Sequence, residues 1–201
     1  MRIYTRRGDG GSTDLRVGGR VEKTSVAIEV NGAVDEAQAA LGCARAEAEP
    51  GGELDGELIG LERDLWILMA EVATHPDRRD ELVPGATAVT TAMIDALEAT
   101  IDRHMAELDP ARGFAVPGGS RCSAALDLAR TVVRRAERNA LRLDLPADCL
   151  VVPYLNRLSD LCWVLARTAE ETHLRAPDAS PLAAASPPPP TPFLGERAGQ
   201  E

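Results

Sequence analysis

LDGELIGLERDLWILMAEV, residues 54–72, places Leu54, Leu58, Leu61, Leu65, Leu68 and Val72 at steps of four, three, four, three and four. That is the period of an α-helix with one apolar face; a half-buried strand would alternate at two. The same spacing recurs along the chain. Val30, Val34, Ala37, Leu41 and Ala44 mark a helix that begins near Val26, and Ile94, Leu97, Ile101 and Leu108 mark one over roughly 86–108, ahead of Pro110. Ala125, Leu128, Val132, Val133 and Ala136 point inward on a fourth, from about Ser120 to Leu143 with Pro146 as its stop. Leu155, Leu158, Cys162, Leu165 and Ala169 do the same on a fifth, from about Pro153 to His173. Helices of about 20 residues, each about 30 Å long, predict an all-α fold, a five-helix up-and-down bundle.

Composition agrees. Aromatic residues make up 3% of a 201-residue chain, too few for a sheet whose strands favour them, and the length suits one domain. Residues 1–25 are glycine-rich and read as a loop, 26–175 as the helical unit, and 176–201 as a proline-rich, flexible tail.

The formal net charge of −10 excludes a broad nucleic-acid or anionic-membrane surface, while leaving room for a small anionic ligand. No apolar stretch follows the basic N-terminus and none approaches a membrane span, so a soluble, cytoplasmic protein is expected. Cys43, Cys122, Cys149 and Cys162 are widely spaced and are expected to be buried, reduced thiols. His75, His104 and His173 are scattered and suggest no metal site.

Against that acidic background, RTVVRRAER at 130–138 concentrates four arginines. Arg130, Arg134 and Arg138 lie four apart and share a stripe, with Glu137 beside Arg134 and Arg135 turned away. A solvated face paired to Asp127 and Glu137 accounts for some of this. Stacked guanidinium groups nevertheless repel, and their forks match phosphate oxygens, so a polyphosphate is the natural counter-ion. TRRGDGGST, residues 5–13, offers complementary parts: glycines that let backbone N–H groups converge, the hydroxyls of Thr5, Ser12 and Thr13, and the charges of Arg6 and Arg7. Lys23 is the only lysine in the chain, a compact point charge among arginines. Asp35 and Glu36 face about 100° apart and cannot share a proton, which removes a paired-carboxylate acid–base site.

Taken in order, YTRRGDGG at 4–11, Lys23, NGAVDEAQAALG at 31–42, PGGS at 117–120, RTVVRRAER at 130–138 and YLNRLSDLCWVLAR at 154–167 resemble the PduO-type ATP:corrinoid (cobalamin) adenosyltransferases over about residues 3–170. The resemblance implies a ferritin-like five-helix bundle that assembles as a homotrimer, with ATP between adjacent subunits. Thr5, Arg6, Arg7, Gly8 and Asp9 fall on the family's phosphate loop, continued by Thr13 and Asp14, and Lys23 on its phosphate-contacting lysine. Arg134, Arg135, Glu137 and Arg138 fall on the nucleotide-binding stretch, and Asn156 on the asparagine that contacts the nucleotide. Asp35 and Arg130 match a pair that bridges subunits, and Phe114 the aromatic that closes the lower face of the corrin.

The implied reaction transfers the 5′-deoxyadenosyl group of ATP to cob(I)alamin, formed from bound four-coordinate cob(II)alamin, and releases adenosylcobalamin and triphosphate. Asp35, Phe114, Arg130 and Arg134 are then the expected catalytic set. ATP and cobalamin are the substrates, with Mg²⁺ at the phosphates. A flavoprotein reductase and an adenosylcobalamin-dependent enzyme are the expected partners. Arg7, Gln38 and Ala70 depart from the family's usual Thr, Asn and Gly. The competing readings are a non-catalytic ATP- or corrinoid-binding sensor or carrier, and a structural bundle whose arginines bridge subunits.

Overall fold

The structure is a computed structural model and describes residues 3–108 and 115–170. Its order is β1 (Ser12–Asp14), β2 (Arg20–Glu22), α1 (Val26–Ala46), α2 (Glu53–Val72), a 3-10 turn (Pro76–Glu81), α3 (Thr91–Glu107), α4 (Arg121–Ala140) and α5 (Val151–Thr168). The fold is therefore mostly helical, as the apolar spacing requires. Among the described residues no helix is long and apolar enough to cross a membrane.

The helices pack in the order α2–α1–α4–α5–α3, so α4 lies between α1 and α5. The core is aliphatic: Val30, Val34, Ala37, Leu41 and Ala44 of α1 meet Leu58, Leu65 and Leu68 of α2, and Leu126, Ala129, Val133 and Ala136 of α4 meet Leu155, Leu158, Cys162 and Leu165 of α5. Among the described residues Tyr154 is the largest fully buried side chain, and its hydroxyl donates to Asp64 at 3.0 Å. Burial raises the Asp64 carboxyl pKa, and this hydrogen bond opposes the shift.

Several expectations need correction. Residues 1–25 are not wholly loop, since β1 and β2 pair antiparallel with Thr13 opposite Val21. Leu128 is 57% exposed; the inward face of α4 runs through Leu126, Ala129, Val132, Val133 and Ala136 and leaves Leu128 outside it. Cys43 is exposed rather than buried. α3 begins at Thr91, where Thr90 accepts the Met93 N–H at 3.3 Å, instead of near residue 86. Only Leu97 and His104 of α3 are buried, because α3 packs chiefly on α5. α5 begins at Val151, and Pro153 sits within its first turn, where the missing N–H is one the helix leaves unpaired anyway. Phe114 and the 176–201 tail lie outside the described residues.

Candidate functional site

The N-terminal half of the site is a loop closed by a small hairpin. Arg6 takes a left-handed conformation at φ 61°, Asp9 N–H donates to the Arg6 carbonyl at 3.4 Å, and Gly11 N–H to the Gly8 carbonyl at 3.2 Å. Thr5 Oγ1 accepts the Arg7 N–H at 3.4 Å. The loop closes where Lys23 N–H donates to the Gly11 carbonyl at 2.8 Å. Lys23 also folds its side chain over Gly8, so that a Cβ there would stand 3.1 Å from Nζ. Glycine at position 8 is thus what admits the ammonium to the loop backbone. Arg7 meets Asp14 at 3.5 Å, and Asp9 and Thr13 make no side-chain hydrogen bond or ion pair among the described residues.

Helix α2 holds the hairpin in place. Arg16 N–H and Val17 N–H both donate to the Ala73 carbonyl, at 3.0 and 3.4 Å, and His75 N–H returns a bond to the Val17 carbonyl at 3.0 Å. Gly18, at φ 104°, touches His75 so closely that a Cβ would lie 2.2 Å from the His75 Cβ. The end of α2 is itself clamped: buried Glu71 accepts the Val89 N–H at 2.8 Å and the Cys149 thiol at 3.3 Å, and pairs with Arg79.

The helical half is α4 with the start of α5, and the structure separates the arginines that sequence spacing had grouped. Arg130 turns back to Asp127 at 3.5 Å, and Asp127 also binds Arg167. Arg135 pairs with Glu36 of α1. Arg138 donates to the Arg134 carbonyl at 3.0 Å. The exposed Arg134 guanidinium makes no hydrogen bond or ion pair among the described residues. Glu137 turns from Arg134 to accept the Asn156 side-chain amide at 3.0 Å, and Asn156 Oδ1 accepts from Arg157 at 2.7 Å. Asp35 is exposed and makes no side-chain bond within the described chain.

Behind this wall, burial pushes the Cys162 thiol up to about 12, against the pull of the Arg130 charge. Cys162 is a packing residue rather than a nucleophile. Arg157 also lines a cleft of about 470 Å³ between α3 and α5, with Ile101, Met105, Trp163 and Val164 as its apolar wall.

Among the described residues no hydrogen bond or ion pair joins the 5–23 segment to Arg134, Arg135, Glu137, Arg138 or Asn156. Sequence reasoning missed Glu36 as the partner of Arg135, and it missed Arg20, the side chain that ties the loop together. The register of β1 on β2 sets Arg20 opposite Asp14, and a hairpin of three-residue strands leaves no periodic signal to find.

The profile of a family described as cobalamin adenosyltransferase matches residues 3–169. A corrinoid adenosyltransferase of Bacillus subtilis is 38% identical over 172 residues, covering 83% of this chain and 86% of the relative. One from Mycobacterium bovis is 40% identical over 179 residues, covering 84% and 88%. Among solved structures, a variant PduO-type ATP:corrinoid adenosyltransferase from Lactobacillus reuteri, complexed with cobalamin and ATP, superposes with a TM-score of 0.75 at 28% identity, covering 84% of this chain and 90% of the other.

Proposed function

The chain belongs to the cobalamin adenosyltransferase family, and on that premise we propose that it transfers the 5′-deoxyadenosyl group of ATP to cob(I)alamin, giving adenosylcobalamin and triphosphate. The observation that carries this reading is Arg134: in a chain with 32 acidic residues, its exposed guanidinium has no carboxylate partner among the described residues. Triphosphate is the anion that matches it.

In this reading the chain forms a five-helix up-and-down bundle that assembles as a homotrimer. The 1–25 segment of one subunit closes over ATP held against α4 and α5 of its neighbour. The lack of any hydrogen bond or ion pair between the two halves among the described residues supports that arrangement, because a second copy can supply the wall that one subunit's loop covers. Leu128, exposed on α4, suits the subunit contact, and Asp35, exposed and without a side-chain partner among the described residues, is available to the Arg130 of a neighbour.

No side chain has to act as nucleophile. Cobalt(I) of the corrinoid attacks the 5′ carbon of ATP and the C5′–O bond breaks, so the protein's task is to align the two substrates and stabilise charge on the departing triphosphate. Arg6, Arg7, Gly8, Lys23, Arg134 and Arg138 contribute that charge and those donors, with Thr5, Thr13 and Asp14 shaping the loop. Arg135, held by Glu36, stands one step back. Glu137 and Asn156 form a polar edge that positions the nucleoside.

Among the described residues no group of three or more His, Cys, Asp or Glu could hold a metal. This donor set fits Mg²⁺ carried mainly by phosphate oxygens and water, with the free Asp9 carboxylate as a protein ligand. When bound, that ion neutralises charge on the triphosphate. The α3–α5 cleft shares Arg157 with the Asn156 network and offers an apolar wall to a flat macrocycle. Phe114 would close the lower corrin face and keep the cobalt four-coordinate before reduction. The reaction is assigned to the cytoplasm, with a flavoprotein reductase supplying the electron and an adenosylcobalamin-dependent enzyme receiving the product.

The test mixes the protein with ATP, Mg²⁺ and chemically reduced cobalamin and follows the absorbance spectrum of adenosylcobalamin. Formation of that spectrum at catalytic protein concentration is expected. Binding of ATP without the product would replace the enzyme by a sensor.

A further inference from the structure

We propose that Arg20 is a positioning residue for the triphosphate, holding the 5–14 loop in the shape that turns the Gly8 N–H and the Lys23 ammonium toward the anion. The proposal rests on the adenosyl-transfer reading. Arg20 stands on β2 opposite Asp14 and reaches back across the loop. Its Nη1 donates to Asp14 Oδ1 at 3.0 Å. Its Nη2 donates to the Arg7 carbonyl at 2.8 Å, the Ser12 carbonyl at 3.1 Å and Ser12 Oγ at 2.8 Å. One nitrogen with two hydrogens thus serves three oxygens, two of them backbone carbonyls at opposite ends of the Gly8–Gly11 turn.

The consequence lies in the peptide plane. In a trans peptide the C=O and N–H point to opposite sides, so fixing the Arg7 carbonyl on Arg20 directs the Gly8 N–H away from it. That N–H has no protein acceptor among the described residues. Lys23 Nζ rests against Gly8, which gathers a backbone donor and a point charge at one place. Arg6, Arg7 and Lys23 repel one another and the glycines carry a high ordering cost. A loop of this composition needs an internal tie to stand preformed before ATP arrives, and Arg20 is that tie. Lysine cannot replace it, because an ammonium lacks the planar fork that reaches both carbonyls and Asp14 together.

The experiment compares wild type, Arg20→Lys, Ser12→Ala and the double variant, reading the Kd of MgATP by calorimetry and the steady-state constants of adenosyl transfer. Arg20→Lys is expected to raise Kd and KM for ATP about tenfold, which is about 1.4 kcal/mol, while kcat and the KM for cob(I)alamin stay within about twofold. The double variant is expected to be no weaker than Arg20→Lys alone, since both changes undo one device. A Kd for Arg20→Lys within about twofold of wild type overturns the proposal, as does a double variant whose effect is the product of the singles. Should Arg20→Lys lose its helical circular dichroism, Ser12→Ala decides: a selective rise in the ATP Kd supports the tie and no change removes it. Wild type that binds ATP without turnover rejects the enzyme reading, and the Kd comparison still judges Arg20.

Discussion

Asn156 of α5 donates its side-chain amide to Glu137 of α4 at 3.0 Å while its Oδ1 accepts from Arg157 at 2.7 Å. The link keeps Glu137 away from Arg134, its neighbour one turn back, and so leaves that guanidinium open to a phosphate. Asn156→Ala is expected to release Glu137 and lower kcat/KM for ATP by about tenfold, in keeping with a hydrogen bond to a charged group worth about 1.5–3 kcal/mol. The KM for the corrinoid should not move. Steady-state kinetics with each substrate varied in turn checks this, and an unchanged ATP term would remove Asn156 from the nucleotide edge.

Arg134 and Arg135 are adjacent and chemically identical, yet among the described residues only Arg135 pairs with a carboxylate, Glu36. Arg134→Ala is expected to weaken ATP binding by roughly one to two orders of magnitude, and Arg135→Ala by less than about threefold. Calorimetric titration with MgATP decides. Equal effects would contradict the assignment of Arg134 to the triphosphate.

Gly18 has no room for a side chain, with φ at 104° and a Cβ position 2.2 Å from the His75 Cβ. Gly18→Ala should lift the hairpin from the end of α2, with about 1–3 kcal/mol of backbone strain in addition to the clash. ATP affinity is expected to fall while the helical signal and the urea midpoint of the helices change little. Near-normal ATP affinity would mean that the hairpin does not depend on this contact.

Glu71 is 3% exposed and holds three donors from three segments: Arg79, the Val89 N–H and the Cys149 thiol. Glu71→Ala leaves the Arg79 charge and a buried N–H without their acceptor, and is expected to cost about 3–5 kcal/mol. Urea unfolding measures it, and a loss below about 1 kcal/mol would show that water replaces the carboxylate.

Asp55 supplies the pH prediction. The Gly51 N–H at 2.9 Å, followed by the Arg45 guanidinium, holds its carboxyl below the ordinary carboxylate range. A depressed folded-state pKa stabilises the protein above the unfolded value of about 3.9, and that contribution is lost as pH falls through the folded value. Thermal melts of wild type and Asp55→Asn from pH 7 to pH 2 should therefore show a constant gap in Tm at neutral pH that closes only below about pH 4. A gap that persists at pH 2 would place the effect outside this ionisation.

Spacing alone gave the five long helices and most of the inward faces of α1, α2, α4 and α5, because a 3.6-residue period states which side chains share a side of a helix, whereas on α3 only Leu97 of the expected face is buried. The grouping of Arg130, Arg134 and Arg138 on α4 was legible for the same reason, and the resemblance of TRRGDGG and RTVVRRAER to one family pointed to the chemistry. The partners across elements were not legible. The pairing of Arg130 with Asp127, three residues apart on one helix, was legible too, but an ion pair between elements depends on which element lies opposite and in what register, so only the tertiary structure gave Arg135 to Glu36 and Glu137 to Asn156, and left Arg134 open among the described residues. The same holds for Leu128, whose spacing fits the core but whose side of α4 no described helix covers, and for Arg20, whose four acceptors converge only once β1 and β2 have paired.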